Sequence, residues 1–214
     1  METDRLIEGL TVDLRPVSAR QAPVWLGGAA LIGGGVALAA VILSLGLRPD
    51  LSIAMAGQMF WVKAGYGVVL AVAGFWCAER LSRPVASSRA GWWLGGAAFA
   101  ILALSALANL MGAPAEARMG AWLGGSWQQC PLYILALSIP TLGLSLAVMR
   151  GLAPTRLRLA GAAAGAFSGG VAATAYGLHC GETAPAFLAT WYSLGVVLSA
   201  GLGALLGPFA LRWR

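Results

Sequence analysis

Residues 24–46 read VWLGGAALIGGGVALAAVILSLG, and no charge interrupts them. The hydrocarbon core of a bilayer, about 30 Å thick, takes roughly 20 consecutive apolar residues per helix, so this stretch predicts a membrane span. Working outward, stretches of the same kind occur at about 58–78, 92–112, 131–149, 159–178 and 188–210. Composition agrees. Of 214 residues, 59% are hydrophobic and 10% charged, against about 25% charged in soluble domains, and the mean hydropathy is +0.78. The predicted fold is an all-α membrane protein, a six-transmembrane-helix bundle.

The cations orient it. Arg5, Arg15 and Arg20 precede the first stretch; Arg80, Arg83 and Arg89 follow the second; Arg150, Arg156 and Arg158 follow the fourth; Arg212 and Arg214 end the chain. The opposite side has only Arg48, Arg118 and Lys63. Lys and Arg accumulate on cytoplasmic loops, so both termini are predicted in the cytoplasm. The chain then divides into a cytoplasmic N-terminal segment (1–23), a six-helix transmembrane domain (24–210) and a short cytoplasmic tail (211–214). The net charge of +6 is accounted for by this pattern and calls for no nucleic-acid partner. Glu2, Asp4, Glu8 and Asp13 argue against a cleavable signal, whose leading segment is basic.

Inside the spans, small residues allow helix backbones to approach closely. Gly161, Gly165 and Gly169 form a four-residue ladder on one face of the fifth stretch, which predicts tight packing. Ionisable groups are almost absent from the spans. Lys63 is the exception, close enough to the outer edge for its stem to snorkel to the headgroups. A proton-coupled transporter would carry a midplane Asp, Glu or His, and there is none.

The chemistry gathers on the predicted outer side. Cys130, in WQQCP, opens the fourth stretch; Cys180, in LHCGE, closes the fifth. Three arrangements fit. The thiols could join as a disulfide, natural in an oxidising compartment; closing a loop of about 50 residues stabilises by about 4 kcal/mol in the chain-entropy model. Cys130, His179, Cys180 and Glu182 could hold a soft or borderline metal ion. Or both thiols stay unpaired and buried at helix ends. Cys77, at the inner end of the second stretch, reads as a small buried hydrophobe. No enzyme is predicted. Ser168 and His179, the one hydroxyl–imidazole pair suggestive of an intramembrane protease, fall about 16 Å apart on a single helix, whereas a nucleophile and its base must meet within about 3 Å.

The N-terminal segment has its own signal. Leu6, Ile7, Leu10, Leu14 and Val17 share one helical face, Thr3 can cap the start, and Pro16 ends the pattern. So short a helix is marginal alone. Its polar face mixes Asp4, Glu8 and Asp13 with Arg5, whereas membrane-surface helices favour Lys and Arg there. A protein partner is therefore predicted.

Six motifs carry a resemblance: DLRPV at 13–17, GSWQQCP at 125–131 with LSIP at 137–140, LAP at 152–154, and LHCGE at 178–182 with WYSLG at 191–195. Across nearly its whole length the chain resembles the bacterial membrane family of negative regulators of extracytoplasmic-function sigma factors, specifically sigma F. The resemblance implies a non-enzymatic, multi-pass anti-sigma factor of the inner membrane. Its cytoplasmic segment would hold an extracytoplasmic-function sigma factor through Leu6, Ile7, Leu10, Leu14 and Arg15. Cys130 and Cys180 would sense oxidative or heavy-metal stress. The competing reading is a membrane thiol oxidoreductase or metal-handling protein using the same cysteines.

Overall fold

The computed structural model of the chain describes residues 3, 5, 7, 9, 20–83 and 87–212. Among the described residues all regular secondary structure is helical, with no strand. In chain order the elements are α1 (Gln21–Leu45), α2 (Leu51–Ala56), α3 (Gln58–Leu81), α4 (Arg89–Gly112), α5 (Ala115–Leu123), α6 (Cys130–Arg150), α7 (Leu157–Tyr176) and α8 (Pro185–Ala210). Five of them, α1, α3, α4, α6 and α8, are long and apolar enough to cross a membrane. The sixth predicted span corresponds to α7, whose 20 residues are dominated by Ala and Gly, with Leu confined to its first turn.

That composition is what puts α7 at the centre. Ala160, Ala163, Ala164, Ala172 and Ala173 are fully buried along it, and its glycines admit neighbouring backbones. A Cβ on Gly161 would run into the carbonyl oxygen of Gly203, and one on Gly165 into that of Ser199, so α8 lies directly against α7. On another face a Cβ on Gly170 would strike the backbone of Ala71, and one on Gly74 the backbone of Phe167, which seats α3 equally close. α1 crosses α6 where Gly33 meets Thr141. In lipid, where helices gain little from hiding apolar surface, such contacts supply the cohesion.

α4 packs on α3 beside Cys77, which is 1% exposed and donates to Ser88 O at 3.5 Å, as a small buried residue should. α8 begins with a π-helical turn at Leu188–Tyr192. The ends of α1 and α7 and the starts of α3, α6 and α8 meet at one end of the bundle, the end that carries Cys130 and Cys180.

Candidate functional site: a buried thiol pair

Two connections deliver the thiols. Before α6 the chain turns through residues 124–129, where Ser126 O accepts Cys130 N at 2.9 Å and Gln129 N at 3.1 Å. Gly124 makes the turn with φ +59°, and a side chain there would hit Glu182 and Phe187. Pro131 follows in the first turn of α6, where its missing N–H has no cost. After α7, Tyr176 O accepts both His179 N and Cys180 N at 3.0 Å, so the chain curls over the helix end. Cys130 is fully buried and Cys180 is 3% exposed. All three cysteines are free, and Cys130 and Cys180 lie in one buried cluster, close enough for each thiol to shift the other's ionisation.

Lys63 completes the site. It does not snorkel toward headgroups: it is 2% exposed, turned into the bundle, with Nζ donating to Cys180 O at 2.7 Å and Glu182 O at 3.1 Å. Nζ also sits 5.4 Å from the Tyr192 ring centre, a cation–π contact that strengthens when desolvated. The neighbouring Cys130 thiol, the Lys63 charge and the Glu182 backbone N–H together hold the Cys180 thiol well below its ordinary range, against the opposing effect of burial. Tyr176 and Tyr192, both buried, wall the pair. Their rings lie 6.3 Å apart, and the Tyr192 hydroxyl donates to Ala173 O.

The four residues suggested as metal ligands are not gathered. His179 Nδ1 donates to Gly46 O at 2.8 Å, and its ring lies 5.7 Å from that of Tyr176. The Glu182 carboxylate accepts Gly125 N at 2.7 Å and so fastens the turn before α6. Among the described residues, no group of three or more His, Cys, Asp or Glu is placed to hold a metal ion. Over the site, Trp191 Nε1 donates to Trp122 O at 3.0 Å, and Trp127 packs on Trp191 with ring centres 5.1 Å apart.

Of the residues suggested for partner binding, Ile7 has helical backbone and is exposed. Leu6, Leu10, Leu14 and Arg15 lie outside the described residues. Sequence reasoning missed three members of the site: Lys63 as a partner of the cysteine segment, and Tyr176 and Tyr192 as its walls. One signal was available, since Lys63 is the only lysine in a chain whose other cations are all arginine.

The model of the family described as negative regulator of sigma F matches residues 10–213. The chain belongs to this family. It is 45% identical over its full length, and over the full length of the relative, to the anti-sigma-F factor NrsF of Caulobacter vibrioides. To the probable anti-sigma-F factor NrsF of Azospira oryzae it is 39% identical, again with both chains covered entirely. No solved structure matches it. Family membership therefore extends across both cysteine segments and every helix from α1 to α8.

Proposed function

We propose that this chain is a six-span anti-sigma factor of the bacterial inner membrane, with both termini in the cytoplasm. Its N-terminal segment binds an extracytoplasmic-function sigma factor and keeps it from RNA polymerase. Oxidative stress in the outer compartment, read by Cys130 and Cys180, releases it. The family supplies the sigma factor as partner. The observation that carries the sensing half is the thiol pair, brought side by side from two connections in a bundle otherwise built of Ala, Gly and Leu.

The six spans and their orientation are supported by the helices and by the arginines. Arg80, Arg83, Arg150, Arg156 and Arg158 fall in the last or first turns of α3, α6 and α7 or in the connections beside them, at the end opposite the cysteines, as the positive-inside rule places a cytoplasmic face. The cysteine end then faces the compartment where disulfides persist. A thiol relay would need a second pair to pass electrons on, yet the remaining cysteine, Cys77, lies near the far end of α3. That favours a sensor over an oxidoreductase.

Forming a bond between the thiols would pull the start of α6 against the connection after α7. Since α7 touches α8 and α3 backbone to backbone, a displacement there is carried by all three helices. Two arrangements of the bundle that hold the sigma factor unequally are all the switch requires. The test is co-purification of the sigma factor with the full-length membrane protein. Wild type should retain it, and deletion of residues 1–23 or the change Leu10→Asp should lose it; retention by both variants would remove the tail from the account.

A further inference from the structure

We propose that Lys63 is the fixed counter-charge of the thiol pair and makes Cys180 the sulfur that reacts first with an electrophile, with Cys130 closing the disulfide afterwards. The proposal rests on the pair being the sensing site and adds an order of events to it.

The geometry is asymmetric. A lysine ammonium carries three donors, and two of them go to Cys180 O and Glu182 O. Both carbonyls belong to the segment that carries Cys180, so the charge is pinned over that segment, where it favours the Cys180 thiolate. An ammonium this deeply buried needs an anion as well as carbonyl dipoles. The other charged or titratable groups around the site are engaged elsewhere. The Glu182 carboxylate is turned to Gly125 N. Arg48 is paired with Asp50. The His179 ring is held by Gly46, the Tyr192 hydroxyl by Ala173 and the Tyr66 hydroxyl by Ser193. Tyr176 presents its ring beside the pair. The sulfur of Cys180 remains as the anion, with the Cys130 thiol beside it in the same buried cluster. The lowered pKa of the Cys180 thiol agrees with this assignment.

With a hydroperoxide as oxidant, the Cys180 thiolate attacks the terminal peroxide oxygen. The O–O bond breaks, the departing alkoxide takes a proton from water, and Cys180 becomes a sulfenic acid. The Cys130 thiol then attacks that sulfur. An S–S bond forms, the S–O bond breaks, and the hydroxide leaves with the thiol proton as water. The two sulfurs together lose two electrons and the peroxide gains them. Lys63 is left with its two carbonyls and the Tyr192 ring but without its anion, which favours movement of the start of α3.

The test is alkylation of the purified full-length protein in lipid nanodiscs by monobromobimane, with modified cysteines identified by peptide mass spectrometry from pH 5 to 9. In wild type Cys180 should be labelled in clear excess over Cys130, with half-maximal rate well below the ordinary thiol value of about 8.5. Lys63→Met should slow Cys180 labelling at pH 7 by about tenfold, since the thiolate fraction falls. Lys63→Arg, which keeps the charge, should stay within about threefold of wild type. Should Lys63→Met fail to fold, the wild-type profile and Cys130→Ser carry the test. Cys180 in Cys130→Ser must still react below the ordinary thiol range. Equal labelling of the two cysteines in wild type, or an ordinary profile for Cys180, would overturn the proposal. These readouts concern thiol chemistry alone. If they hold while both cysteine variants leave sigma-dependent transcription unchanged, the sensor reading falls and the assignment of Lys63 stands.

Discussion

Glu182 serves the site at both of its ends. Its backbone carbonyl accepts Lys63, and its carboxylate accepts Gly125 N, so one residue ties the start of α3 to the turn before α6. A hydrogen bond to a charged group is worth about 1.5–3 kcal/mol. Glu182→Ala should therefore loosen the 124–129 turn, lower the thermal midpoint of the detergent-solubilised protein, and speed maleimide labelling of Cys130 and Cys180 several-fold. An unchanged labelling rate would mean that the turn does not cover the thiols. Glu182→Gln, which keeps an acceptor, should fall between the two. Hydropathy places Lys63, His179 and Glu182 near a membrane boundary, and that much was legible in the sequence. Which way each points was not. Their partners (Cys180 and Glu182 for Lys63, Gly46 for His179, Gly125 for Glu182) are distant in the chain, and only the packed bundle decides that a lysine turns inward or that an imidazole serves a backbone carbonyl.

At the scale of elements, α7 shows how a helix of low hydropathy becomes the most central one. Its glycines face α8 and α3, and their missing side chains set the distance at which those helices pack. Gly165→Ala puts a methyl group into the carbonyl of Ser199, and overpacking of this kind costs about 1–3 kcal/mol. Gly28→Ala, at a glycine with nothing within 4 Å, should be neutral. Thermal midpoints of the two variants in detergent check the contrast; equal midpoints would show that the α7–α8 seam can yield. The long apolar runs and the glycine ladder were readable because hydropathy and residue size are local properties. The short helices α2 and α5 were not, since six and nine residues give too few turns for a periodic signal. The stacking of Trp122 and Trp127 on Trp191 likewise joins segments that no local pattern relates.

For the whole molecule, the proposed switch requires the cysteine end and the chain termini to lie on opposite sides of the membrane. A reporter that functions only in the cytoplasm should be active when fused after Arg214, and inactive when inserted at Ala113 in the connection between α4 and α5. Activity at both places would break the six-span arrangement. In the proposed switch the N-terminal segment acts at one end and the thiols at the other; α7 is in backbone contact with α3 and α8. The central claim is that the thiol pair governs release of the sigma factor, and sigma-dependent transcription in cells exposed to a hydroperoxide tests it most directly. Induction is predicted with wild type and lost with either Cys130→Ser or Cys180→Ser, because a disulfide needs both sulfurs. Wild-type induction in either variant would contradict it.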